Sequence, residues 1–243
     1  MLASRGARIV LLVRDVLHAL LSKVSGVWQC IPKSSKSLPP FDLHCPICSL
    51  PLAFATRLDT IPSTLPYLPA PQNSRVRAWM DRLQDRIGLS PKLRVGLVWS
   101  GNPEHANDHN RSIPLRQLTA VLDVDAIFVS LQKDPRPDDK AILEQTAIVD
   151  LTDHLSDFVE TAALISCLDL VISVDTSVAH LAGALGRPTF TLLPYIADFR
   201  WLLDRDDSPW YPTMRLFRQT ERGDWKHVLD RLRADLAAQA SGK

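Results

Sequence analysis

The chain has 243 residues, 46% of them hydrophobic and 23% charged, so it is neither a disordered tail nor a fibre. Lysine plus arginine (28) nearly cancels aspartate plus glutamate (27), a net charge of +1. That balance argues against nucleic acid or an acidic membrane as partner, and any anion must be held by a local arrangement. Of the four cysteines, Cys45 and Cys48 form a C-x-x-C, but no second such pair exists to complete a zinc site. Free thiols in a reducing compartment are the plain reading, and no metal is expected. The apolar run 9–13 is too short for a secretion signal or a membrane span, which predicts a cytoplasmic protein.

In chain order, residues 2–7 read as the end of a helix stopped by Gly6, and 8–13 as a buried strand. A helix follows over 15–23, a short strand over 27–31, and another strand over 41–45 beyond a Ser/Lys/Pro loop. Residues 57–73 hold Pro62, Pro66, Pro69 and Pro71 without periodicity and read as a connection. A helix over 74–87 is predicted, with Ser74 as N-cap and Gly88 as stop. A second unit then begins: strand 93–99, helix 115–122, strand 126–131, helix 138–145, helix 155–167, strand 168–174, helix 177–185, strand 188–193, and a terminal amphipathic helix 224–238. Strands alternating with helices predict an α/β fold with a parallel sheet covered on both faces. The boundaries expected are 1–72 for a partial N-terminal Rossmann-like unit, 73–92 for a linking helix, and 93–243 for a complete Rossmann-like domain. Because the first unit opens on a helix end, the sequence is expected to lack an upstream strand.

The segment 171–188 carries the chemistry. A buried apolar strand runs into Asp175, Thr176 and Ser177, and a helix rich in small residues follows. In a doubly wound sheet, ligands sit outside the carboxyl ends of the strands. Unpaired amides at the helix start would meet a phosphate there, aided by the helix dipole. His180 shares a helix face with Thr176. Taken singly, Asp175 reads first as a simple N-cap and His180 as a core histidine, and only the whole string points to a ligand. Arg111 is either a phosphate ligand or a solvated loop arginine, in a polar loop with Asn107, Asp108, His109 and Asn110. Residues 198–210 are either the wall of a cleft or a loop packed by Trp201, Trp210 and Tyr211.

The string from Asp175 to Pro188 resembles the D-T-x-x-x-H-x-A-x-x-L-G motif of glycosyltransferase family 9, the heptosyltransferase-like GT-B enzymes. It is most similar to the glycosyltransferase domain at the C-terminus of bacterial tetratricopeptide-repeat proteins. Residues 38–46, 49–54, 98–103, 130–132 and 208–219 carry the same likeness. The resemblance implies a GT-B fold with a nucleotide-diphosphate sugar as donor, a saccharide or protein as acceptor, transfer with inversion, and no metal cofactor. It places Asp175 on the donor sugar, and Thr176, Ser177 and Val178 on the diphosphate, with His180 in support. Ser100, Gly101 and Asn102 would approach the donor, and Arg111 would pair with phosphate. Gln132 and the backbone at His154 and Leu155 would contact the nucleoside. The acidic base of such enzymes belongs to the first domain, near its first strand, and this sequence opens after that point. Two expectations therefore stand: an inverting glycosyltransferase, inactive if that base is missing, or a non-catalytic nucleotide-binding module derived from one. A dinucleotide-dependent oxidoreductase is disfavoured, because no G-x-G-x-x-G follows any strand.

Overall fold

The computed structural model describes residues 1–242. A short 3-10 turn ending at Gly6 leads into β1 (Ile9–Val13), α1 (Asp15–Leu21) and β2 (Val27–Pro32). β1 and β2 pair in parallel as a two-stranded sheet, the βαβ unit expected from the alternation. The strand predicted over 41–45 does not form. Phe41 and Leu43 are exposed, and the segment lies between Pro39-Pro40 and Pro46, whose rings supply no ladder donors. After α2 (Leu50–Ala53) the chain is irregular, apart from a 3-10 turn at Leu58–Thr60, up to α3 (Asn73–Ile87), which stops at Gly88. Its N-cap is Gln72 and not the predicted Ser74, and no side chain caps it.

The second unit is β3 (Leu93–Val98), α4 (Asp108–Arg111), α5 (Leu115–Leu118), β4 (Ala126–Ser130), α6 (Pro137–Leu143), α7 (Phe158–Ser166), β5 (Leu170–Val174), α8 (Ser177–Ala184), β6 (Thr189–Leu193), β7 (Met214–Arg218) and α9 (Trp225–Ser241). The helix expected over 155–167 begins later because Asp157 caps it, accepting from the amides of Val159 (2.8 Å) and Glu160 (2.9 Å). Strand β7 went unpredicted: Arg215 and Arg218 interrupt its apolar residues, and only Met214, Leu216 and Phe217 are buried.

All five strands of this sheet are parallel, in the order β4-β3-β5-β6-β7. Val149 adds a parallel rung outside β4, bonded through the carbonyl of Phe128 and the amide of Ser130. Counting that rung, the order has the form 3-2-1-4-5-6 of a Rossmann sheet, which reverses direction between β3 and β5. Both faces are covered, as a parallel sheet requires. Along β5 the side chains alternate: Leu170, Ile172 and Val174 enter the core under α5 and α9, and Val171 enters the core under α3, α7 and α8.

Helix α3 is part of that second core. Trp79 and Leu83 are fully buried, and Leu20 of α1 and Leu68 join the same cluster. Glu160 of α7 accepts from Trp79 Nε1 at 2.8 Å and pairs with Arg75. Leu68 and Tyr67 donate their amides to the carbonyl of Ala184 at the end of α8. If α3 is core, Leu83→Ala lowers folding stability by about 2–5 kcal/mol through lost contacts and a residual cavity. Urea unfolding should show a lower midpoint with unchanged slope. A loss below about 1 kcal/mol would place α3 outside the cooperative unit.

Candidate functional site

The carboxyl ends of β3 and β5 adjoin at the switch point, and the loops that follow them meet. From β3 the chain passes through Trp99, Ser100 and Gly101 to α4. From β5 it passes through Asp175 and Thr176 into α8. Arg111, the last residue of α4, donates from Nη1 to the backbone carbonyl of Asp175 at 2.9 Å. The cation and the start of α8 therefore lie side by side.

Several contacts fix Arg111. Its Nε donates to Asp108 Oδ1 at 3.3 Å, and the same oxygen accepts from Ser112 Oγ at 2.9 Å. The other oxygen of Asp108 pairs with Arg136. Asp108 is almost fully buried, and two guanidinium groups share its single carboxylate, which leaves surplus positive charge at the sheet edge. Gly101 is where the loop passes closest. A Cβ there would run into the Arg111 guanidinium and lie 2.7 Å from Asp108 Oδ1. Its amide donates to Ser112 Oγ at 2.9 Å.

The start of α8 is open. Thr176 occupies the N-cap with extended backbone but makes no capping bond. Its hydroxyl is engaged with Ser173 Oγ at 3.0 Å, under the sheet end. The first-turn amides of α8 thus have no side-chain cap, whereas Asp157 caps α7 and Asp224 caps α9. Helix-start amides and a fixed guanidinium are together suited to a phosphate-bearing anion.

The Asp175 side chain is largely buried, and its Oδ1 lies 3.8 Å from His180 Nε2. The His180 ring stacks on Trp201, centroids 5.1 Å apart and planes 14° apart. Its Nδ1 is 3.1 Å from Tyr211 Oη, and Tyr67 Oη donates to Tyr211 Oη at 3.3 Å. Burial pulls His180 below its ordinary value. The Asp175 carboxylate opposes that shift, the Arg200 cation adds to it, and Asp198 opposes it.

The other expected residues divide. Ser177 is exposed at the first position of α8, and Val178 packs partly against the core. Ser100 is buried, and Asn102 is exposed and accepts from the amide of Glu104 at 3.0 Å. Gln132 serves the scaffold. It is buried, and its Oε1 accepts from the amides of Trp99 (3.2 Å) and Ser100 (3.0 Å), tying the end of β4 to the end of β3. Leu155 has its side chain in the core, and His154 is exposed with its ring edge-on to Trp79. Lys133 Nζ reaches the carbonyl of Ser156 at 3.4 Å, so that segment lies beside the end of β4. Arg136, Tyr67 and Tyr211 were not read from the sequence as site residues, and Asp108, expected only in a polar loop beside Arg111, is buried beneath it. Trp201 is fully buried, as the packed-loop reading of its segment expects, and its ring stacks against His180. Among the described residues no group of three or more His, Cys, Asp or Glu could hold a metal ion, and Cys45 and Cys48 are exposed free thiols. No helix among them is long and apolar enough to cross a membrane.

Residues 136–205, which include β5 and α8, match the model of glycosyltransferase family 9 (heptosyltransferase). Protein FlbA of Caulobacter vibrioides is 30% identical over 168 residues, covering 67% of this chain and 27% of FlbA. The glycosyl transferase family 9 structure from Veillonella parvula superposes with a TM-score of 0.56 at 13% identity, covering 99% of this chain and 90% of that one. The E. coli ADP-heptose lps heptosyltransferase II structure gives 0.48 at 15% identity, over 74% of this chain and 57% of that one. At such identity the Veillonella likeness speaks for the fold, a GT-B-like α/β architecture.

Asp108→Asn removes the charge that holds both arginines, and stability should fall by about 1.5–3 kcal/mol in urea unfolding. An unchanged midpoint would mean that the buried carboxylate does not hold them. His180 gives a pH signature. Between its lowered value and the ordinary 6.5, the unfolded chain takes up a proton that the folded chain refuses, so stability falls as pH drops through that window. The slope should flatten in His180→Gln, and an equal slope in both proteins would contradict the assignment.

Proposed function

Because residues 136–205 carry the sequence of glycosyltransferase family 9 and the sheet around them is GT-B-like, we propose that the switch point binds a nucleotide-diphosphate sugar and that the protein transfers its glycosyl group. One observation carries the reading: Arg111 is bonded to the Asp175 carbonyl directly beside the uncapped start of α8. The diphosphate lies on the α8 amides and the Arg111 guanidinium, and the Asp175 carboxylate accepts from sugar hydroxyls. Ser177 and the backbone of Val178 belong to the same cradle, with Ser100, Gly101 and Asn102 opposite. The nucleoside extends toward the end of β4, past Gln132 and the backbone at His154 and Leu155.

In transfer, the acceptor hydroxyl oxygen attacks the anomeric carbon while the bond from that carbon to the diphosphate oxygen breaks. The bond electrons leave with the diphosphate, and the new charge falls where the amides and Arg111 are already aimed. A general base takes the hydroxyl proton, and attack from the opposite face inverts the anomeric centre. The acceptor is a saccharide or a protein hydroxyl. The Arg111 guanidinium and the α8 amides carry the charge, and no metal is called for.

Calorimetric titration with a panel of nucleoside diphosphates and their hexose and heptose esters tests the proposal. Binding of one such pair is expected, and a folded chain that binds none would overturn it. Asp175→Ala should weaken the sugar ester about 10–100-fold, as for loss of a charged hydrogen bond, with a smaller effect on the nucleoside diphosphate. Equal losses for both ligands would remove Asp175 from the sugar. Turnover of the bound donor separates a transferase from a donor-binding module.

A further inference from the structure

The contacts of His180 form a chain with a direction. Tyr67, from the irregular segment before α3, donates its hydroxyl proton to Tyr211 Oη at 3.3 Å. The single proton of Tyr211 is then left for its other neighbour, His180 Nδ1, at 3.1 Å. An imidazole that accepts at Nδ1 carries its own proton on Nε2 when neutral. Nε2 is the atom 3.8 Å from the Asp175 carboxylate. The opposite tautomer would turn a lone pair toward that carboxylate, which Coulomb repulsion disfavours.

The ring has little freedom to escape this arrangement. One face is stacked on Trp201, itself fully buried. Tyr211 is locked in turn: its ring lies so close to α8 that a Cβ on Gly183 would sit 2.7 Å from it. Burial drives the Tyr211 phenol far above its ordinary value, so it stays a donor, and burial keeps His180 neutral. The other charged groups acting on His180 are Asp198 and Arg200, which are paired with each other at 2.8 Å.

We infer that Tyr211 is a positioning residue: it holds His180 in the Nε2–H tautomer, so that a hydrogen-bond donor, and not an acceptor, faces the donor sugar beside Asp175. Tyr67 sets the direction of the chain from outside the sheet. The inference rests on the proposed donor site for its ligand, while the tautomer itself is a property of the free protein.

The test uses the full chain labelled with nitrogen-15, with long-range proton–nitrogen correlation of the His180 ring at neutral pH. The free protein should show the proton on Nε2. In Tyr211→Phe, which keeps the ring that fills the space at Gly183, the share of the Nδ1–H form should rise, with the Asp175 carboxylate beside Nε2 limiting how far. Tyr67→Phe should shift the balance less. A proton on Nδ1 in the unsubstituted protein, or an unchanged tautomer in Tyr211→Phe, would overturn the inference. In the same variant, affinity for the sugar ester found by titration should drop about two- to tenfold, as for one neutral hydrogen bond, with the parent nucleoside diphosphate unaffected. Equal loss for both ligands would show general damage instead and count against a positioning role. If no nucleotide binds the unsubstituted chain, the donor site falls, yet the ring spectrum still decides what Tyr211 does.

Discussion

The bond from Arg111 to the carbonyl of Asp175 joins two loops that leave adjacent strands at the point where the sheet reverses its winding. The cradle assigned to the diphosphate depends on that closure. Without it the polar turn after β3 would be held to the start of α8 only through the pairing of Val98 with Ser173 below. The closure is itself held from beneath by Asp108, whose carboxylate ties Arg111, Arg136 and Ser112 into one network. Burial of that carboxylate makes the network hard to rearrange, because a half-paired buried charge is costly. Gly101 admits it by offering no side chain where the guanidinium lies.

Much of the scaffold was legible in the chain because a parallel sheet buried on both faces writes itself as apolar runs. Strands β4 and β5 are close to such runs, β3 and β6 remain mostly apolar despite Arg94, Thr189 and Thr191, and each lies within a residue or two of its expected place. Residues 41–45 misled differently: Phe41, Leu43 and Cys45 alternate with Asp42 and His44 as in a strand, but the segment has no neighbour to pair with and prolines on either side. Reading for apolar runs also passed over β7, whose arginines hide a strand that is apolar where it is buried. Asp175, Thr176 and His180 could be read because they follow one another along a strand and helix. Arg136, Tyr67 and Tyr211 could not, since their roles arise from contacts across 28 to 144 positions of sequence, and Asp108 could be placed in the loop but not beneath it, because its burial comes from packing. Gln132 shows the converse: a polar residue at a strand end that looks like a ligand contact is taken up by two backbone amides of the neighbouring loop.

The N-terminal unit is not independent of this site. Leu20 and Leu68 enter the same apolar cluster as α3 and α7, and the segment that carries Tyr67 is stitched to the end of α8 through the Ala184 carbonyl. A residue that precedes the Rossmann-like sheet by more than a helix therefore touches the chain of hydroxyls leading to His180. The arrangement makes the entry to α3 a structural part of the site.

The contact between Gly183 and the Tyr211 ring has a consequence for how such a chain can change over generations. A methyl group at 183 would drive the phenol from its place, and with it the partner of His180. The two positions are thus mutually contingent. A larger residue on the helix becomes tolerable only after the ring has been surrendered, and that order of events removes the hydroxyl first. Drift at an inconspicuous small residue is in this way bound to the fate of a polar group on a distant loop.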